Sequence, residues 1–74
     1  MTEKDIMVKD GMIRLDSLLK FAGLFATGGA AKVSILAGEV LLNGQVCTVR
    51  GKKIFPGDEV QWGDTLLHIH ERCS

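Results

Sequence analysis

The chain has 74 residues, of which 46% are hydrophobic, and its nine basic residues balance its nine acidic ones. This length allows one domain with a small core, which leaves little room for a second domain or a deep catalytic cleft. No apolar run approaches the roughly 20 residues that cross a bilayer, and the charged N-terminus lacks the apolar centre of a signal peptide, so we expect a cytoplasmic protein.

The charges are unevenly distributed along the chain. Residues 14–53 carry six bases and two acids, whereas the segments before and after them are both net negative. Because a domain can bind phosphate through one positive face while its total charge is zero, this distribution is compatible with nucleic-acid binding. The six bases are Arg14, Lys20, Lys32, Arg50, Lys52 and Lys53.

The N-terminal segment carries little sign of regular structure. Residues 1–11 are polar and rich in charge, so we predict a flexible arm there. Residues 12–74 are predicted to form a single domain, which begins with a short strand or lead-in at Met12-Ile13-Arg14.

Two short helices follow, each with signals at its ends. Asp16-Ser17 suits the start of the first helix, and Gly23 is a natural residue to end it. The second helix is predicted from residue 28 to residue 37, with Thr27 as its N-cap and Gly38 after its end. Helices this short are marginal in water alone, so packing must stabilise them. The first helix offers one apolar stripe, formed by Leu15, Leu18, Leu19 and Ala22.

The remaining sequence predicts a small, mainly antiparallel sheet. Asn43-Gly44 is a strong hairpin signal because both residues tolerate positive φ, and we predict a type I′ turn there. Phe55-Pro56-Gly57-Asp58 fits a type II turn, with proline and glycine at its central positions. Gly63-Asp64 predicts a tight turn before the last strand. Two helices followed by such strands indicate an α+β domain.

Four motifs occur in a specific order and spacing across this part of the chain. They are Arg14-Leu15-Asp16-Ser17-Leu18-Leu19-Lys20, then Thr27 with Ala31 and Lys32, then Gly38-Glu39-Val40-Leu41-Leu42-Asn43-Gly44, and then Pro56-Gly57-Asp58-Glu59-Val60. Together they resemble the RNA-binding domain named after small-subunit ribosomal protein S-four, the αL motif. The chain looks like a short, stand-alone bacterial member of that family, with two short helices packed on a small sheet.

The resemblance implies non-catalytic binding of structured RNA, such as ribosomal or transfer RNA, with the ribosome as a candidate partner. It implies contact through the two helices and the adjoining loop, and we expect a monomer that does not bind membranes. One departure lies at the start of the second helix. The family usually carries Ser-Arg there, whereas this chain has Thr27-Gly28-Gly29.

Two groups of residues are predicted to contact RNA. The first turn of the second helix has unpaired N–H groups, which its glycines leave open to a phosphate, although those glycines could simply serve a tight loop. The basic loop after residue 49 can bind phosphates through arginine and lysine, although most such loops are only solvated. Lys20 is a further candidate, with helix-dipole neutralisation as its alternative. The predicted RNA-binding residues are Lys20, Thr27, Gly28, Gly29, Lys32, Arg50, Lys52 and Lys53.

The aromatic residues are interpreted mainly as packing residues. Phe21, Phe25 and Phe55 are predicted to lie in the core. Trp62 is predicted to be core or partly buried, and stacking on a base is its alternative role.

The histidines and cysteines are possible metal ligands, but we do not predict a metal site. His68 and His70 alternate along the last predicted strand, so both point to one face. Their spacing from Cys47 and Cys73 matches no standard zinc pattern. A strand with outward histidines and inward apolar residues explains the alternation equally well. We expect both cysteines to be free thiols.

The sequence offers no catalytic motif. Gly23 and Gly28 have the spacing of a nucleotide-binding loop, but Gly29-Ala30 stand where lysine and serine or threonine are required. No nucleophile–base pair is evident, so we predict a protein that is not an enzyme and needs no cofactor. The alternative function is a protein-interaction module that reuses the same surface. Salt dependence separates the two functions, because RNA binding weakens steeply with salt.

Overall fold

Two helices and a five-stranded sheet enclose the core of the computed structural model, which describes residues 1–9 and 11–72. The strand order in the sheet is β1-β7-β6-β3-β4, and β2 and β5 form a separate two-stranded sheet. In the described part of the chain, neither helix has the length and apolar character needed to span a membrane. The elements are β1 (Thr2–Val8), β2 (Ile13–Arg14), α1 (Leu15–Phe21), α2 (Gly28–Leu36), β3 (Val40–Leu42), β4 (Gln45–Val46), β5 (Lys53–Ile54), β6 (Glu59–Trp62) and β7 (Thr65–Glu71).

The strand pairing confirms the predicted α+β architecture. Strands β3, β4, β6 and β7 are joined by antiparallel pairings, as are β2 and β5. Only β1 runs parallel to its neighbour, β7. Parallel neighbours require a long connection, and here the rest of the domain provides it.

The N-terminal arm differs from the prediction, because Thr2–Val8 form strand β1 at the edge of the sheet. Ile6 and Val8 are buried, and the Lys4 ammonium donates to the carbonyl of Ala22 at the end of α1, with a distance of 3.2 Å. The charged residues that suggested a loose arm occupy the exposed positions of the strand, and Lys4 binds a helix end. The expectation of a flexible arm over residues 1–11 is therefore corrected for this stretch.

Both helices end as the sequence predicts. After α1, the Gly23 N–H donates to Lys20 O and the Leu24 N–H donates to Leu19 O. After α2, the Gly38 and Glu39 N–H groups make the corresponding bonds to the carbonyls of residues 35 and 34. These paired bonds define the Schellman motif, which satisfies carbonyls that would otherwise lack partners.

The core is apolar and is formed by both helices and the sheet. Phe25 is half-buried against it, and its ring packs on Trp62 with 4.8 Å between centroids, so packing accounts for both residues. Phe21 and Phe55 are instead 67% and 49% exposed, which contradicts their predicted place in the core. Phe21 lies outside the apolar stripe of α1, one position before Ala22. The largest fully buried side chains are Leu15, Leu18, Leu19, Ile35, Ile54, Leu67, Ile69, Val40 and Val60.

Two predicted turns are confirmed, and one side chain joins them. Asn43 and Gly44 have φ of 52° and 85°, as a type I′ turn requires, and they connect β3 to β4. In the second turn, Gly57 has φ of 96° and the Asp58 N–H donates to Phe55 O, as in a type II turn. The Asn43 amide donates to the Asp58 carboxylate at 3.2 Å and its oxygen accepts from the Glu59 N–H at 2.9 Å. Asn43 therefore has a structural role.

Gly44→Val tests the backbone requirement of the hairpin. A Cβ at Gly44 would meet no atom within 4 Å, so any loss of stability on substitution arises from the positive φ alone. We expect the free energy of unfolding in urea to fall by about 1–3 kcal/mol. Gly28→Val is the matched control, because a Cβ there also meets open space but φ is not positive. An equal loss in both variants would contradict the proposed origin of the effect.

Candidate nucleic-acid interface

The start of α1 is joined to the predicted basic loop by backbone hydrogen bonds. The Leu15 N–H donates to Lys52 O at 2.9 Å, and the Asp16 N–H donates to Arg50 O at 3.1 Å. The first N–H groups of a helix have no acceptor within the helix, and the N-cap residue Arg14 provides no side-chain cap. The loop carbonyls take that role, so the helix fixes the position of the loop.

Arg14 joins the bases of this loop, although it was not among the predicted site residues. In the β2–β5 pair, Arg14 lies directly opposite Lys53. Its guanidinium lies beside Gly51, since a Cβ there would be 3.8 Å from Nη2. Arg14 also makes a 3.2 Å salt bridge to Asp16. We define the basic cluster as Arg14, Arg50, Lys52 and Lys53.

Most of the charge in the basic cluster is not neutralised by the protein. The side chains of Arg50, Lys52 and Lys53 are exposed. Within residues 1–9 and 11–72, none of these three forms a salt bridge, whereas Arg14 pairs with Asp16. Several free cations at one end of a helix create a positive potential that attracts polyanions.

The start of α2 has the predicted cap. The Thr27 hydroxyl accepts from the Ala30 N–H at 3.1 Å, which confirms Thr27 as the N-cap. The N–H groups of Gly28 and Gly29 have no acceptor among the described residues. A Cβ at Gly28 would meet no atom within 4 Å, so the space beside this residue is open. Lys32 is half-buried one turn further along the helix.

The structure brings only part of the predicted site together. Arg50, Lys52 and Lys53 form one cluster, which Arg14 completes, while Thr27, Gly28, Gly29 and Lys32 form a second group at the start of α2. Lys20 is exposed in the last turn of α1, roughly 9 Å along the helix axis from the cluster at its start. A single surface that includes both groups stays a prediction.

The histidines lie on the exposed side of the sheet with carboxylates from β1. His68 Nε2 is 2.8 Å from a Glu3 oxygen, and His70 Nε2 is 2.9 Å from an Asp5 oxygen. The hydrogen bond to Glu3 raises the pKa of His68 above its usual 6.5; burial opposes the shift, and the charges of Glu3, Glu59 and Asp5 add to it. Among the described residues, no group of three or more potential ligands is placed to hold a metal. Cys47 has no disulfide partner among these residues, and Cys73 lies outside them.

Comparison with known proteins identifies the family of the chain. The family model of the S4 domain matches residues 6–70. The chain belongs to the S4 domain family, which confirms the resemblance found in the sequence. It is also 38% identical over 56 residues to a Bacillus subtilis (strain 168) protein named "Probable ribosome maturation protein RlbA", and this match covers 76% of the chain and 79% of that protein.

The His68–Glu3 contact makes stability depend on pH. The folded state raises the pKa of His68, so protonated His68 stabilises the fold. This contribution to the free energy of unfolding is fully present below pH 6.5 and is lost as the pH rises through the raised pKa. We expect a higher urea midpoint at about pH 6 than at about pH 8, with a smaller difference in His68→Gln and in Glu3→Gln. An undiminished pH difference in both variants would show that another group is responsible.

Proposed function

We propose that this protein binds structured RNA without catalysing a reaction, and that ribosomal RNA is its target. The observation that carries the proposal is the basic cluster, in which backbone bonds from the start of α1 hold exposed and largely unpaired cations in place. Membership of the S4 domain family supports RNA as the ligand. The ribosome-maturation name of the Bacillus subtilis relative supports ribosomal RNA in particular, and it supports a cytoplasmic location.

The cluster has the chemistry that phosphates require. Arginine can pair with a phosphate through two parallel hydrogen bonds, while lysine acts as a point charge. Because α1 binds the carbonyls of residues 50 and 52, the loop is ordered before RNA arrives. RNA binding then costs less ordering entropy than it would with a mobile loop. Release of counterions from the RNA supplies much of the driving force.

The start of α2 is the second contact region in this proposal. Where relatives usually carry arginine, Gly28 and Gly29 present backbone N–H groups that can donate to a phosphate oxygen. Lys32 adds a positive charge one turn away, and Lys20 extends the positive surface along α1. Thr27 contributes indirectly, because its cap on the Ala30 N–H orients the first turn.

The double variant Arg50→Ala/Lys52→Ala tests the cluster. Both substitutions remove exposed cations but retain the backbone carbonyls that bind α1. With a ribosomal RNA hairpin as the probe, the slope of log affinity against log salt should fall by about 1–2 units. The free energy of unfolding should change by less than about 0.5 kcal/mol.

The matched control for this pair is Arg50→Lys/Lys52→Arg, which exchanges the side chains and preserves the charge. Its salt slope should equal that of the wild type. An unchanged slope in the alanine variant would place RNA on another face. Affinity that barely responds to salt even in the wild type would support the protein-interaction alternative.

Lys32→Ala tests whether the start of α2 shares the RNA surface. If it does, the salt slope for the same hairpin should fall by about one unit, since one phosphate contact is lost. Val33→Ala is the control, because Val33 is the next residue of α2 and its exposed side chain carries no charge. A normal slope in Lys32→Ala would restrict the phosphate contacts to the basic cluster.

A further inference from the structure

An apolar groove of about 690 Å³ lies beside the last turn of α1. It is not part of the basic cluster or of the contact region at the start of α2. Its floor includes buried residues of β1. Exposed apolar side chains surround it: Met7 is 52%, Met12 41% and Phe21 67% exposed. Several exposed apolar side chains around one groove indicate an interaction site.

The groove adjoins the basic cluster at β2. Ile13 lines the groove, and the next residue is Arg14 of the cluster. These two residues form β2 and pair with Ile54 and Lys53. Phe21, at the other end of α1, lines the same groove. A ligand that extended across β2 would therefore reach both the cluster and the groove.

The rim of the groove is suited to an anionic ligand. Lys9 and Arg72 line it, and within residues 1–9 and 11–72 neither forms a salt bridge. Asp5 also lines the groove, but its carboxylate is 2.9 Å from His70 Nε2. An apolar groove next to cations that form no salt bridge within the described residues fits a nucleotide, whose base is aromatic and whose flanking phosphates are negative.

We propose that the groove beside Phe21 takes an unpaired base of the RNA whose phosphates lie on the basic cluster. The inference rests on the proposed function and adds to it the kind of RNA that is recognised: a helix with a bulged or flipped-out nucleotide. Proteins that recognise RNA commonly stack such bases on aromatic rings. The Phe21 ring supplies that stacking face, and the cations at the rim bind the phosphates on either side of the base.

The experiment uses two RNA hairpins that differ only in one bulged 2-aminopurine, a fluorescent purine whose emission falls when it stacks. The wild-type protein should bind the bulged hairpin about 10-fold more tightly than the fully paired one, since stacking on one aromatic ring contributes an effect of this order. Binding should also quench the 2-aminopurine emission.

Variants of Phe21 isolate the ring. Phe21→Leu keeps an apolar side chain but removes the flat face, so it should lose both the preference for the bulge and the quenching. Phe21→Trp should retain both. Leu36→Ala is the positional control, because Leu36 is 55% exposed on α2 and does not line the groove. Because Phe21 is largely exposed, none of these changes should prevent folding.

The outcomes separate this inference from the proposed function. Equal binding of the two hairpins with a normal salt slope, and no effect of Phe21→Leu, would overturn the inference and leave the phosphate-binding cluster intact. That result would favour a protein segment as the occupant of the groove. Failure to bind either hairpin would overturn both proposals.

Discussion

The two backbone hydrogen bonds from the start of α1 to the carbonyls of residues 50 and 52 connect the core of this protein to its candidate RNA surface. They satisfy donors that every helix start leaves unpaired, and here a loop meets that need instead of a capping side chain. The β2–β5 pair then brings Arg14 to the same place. Because the leucines of α1 are fully buried in the core, the loop that carries the cations is joined to a helix anchored in that core.

The zero net charge of the chain conceals a strong separation of charge in space. The sheet face turned away from the helices carries the histidines, with Glu3, Asp5 and Glu59 close to His68. The basic cluster is built on other elements, at the start of α1 and on the β2–β5 pair. Cations grouped in one region attract a polyanion to that region, which would orient the approach of RNA under the proposed function. The uneven distribution of charge along the sequence indicates this separation before the fold is known.

Structural features that depend only on residues adjacent in the sequence could be predicted. The Asn43-Gly44 turn and the two helix ends are of this kind, because local backbone preferences determine them. Strand β1 could not be predicted, since only Ile6 and Val8 mark its inward face and its partner is at the far end of the chain. The residues of the candidate site also include some that the sequence predicts and one that it does not. The bases of the loop are evident from the sequence, whereas the membership of Arg14 depends on its pairing with Lys53.

The parallel pairing of β1 with β7 also determines when the domain can be completed. Glu3 and His68, which meet across these strands, are 65 residues apart in the chain. During synthesis, β1 leaves the ribosome before β7 and has no partner strand until β7 has also emerged. Its inward residues and its hydrogen-bonding edges remain exposed throughout that interval, when an unpaired strand is most open to wrong association. The charged residues Glu3, Lys4 and Asp5 of β1 are therefore useful before folding, because they keep the waiting strand soluble.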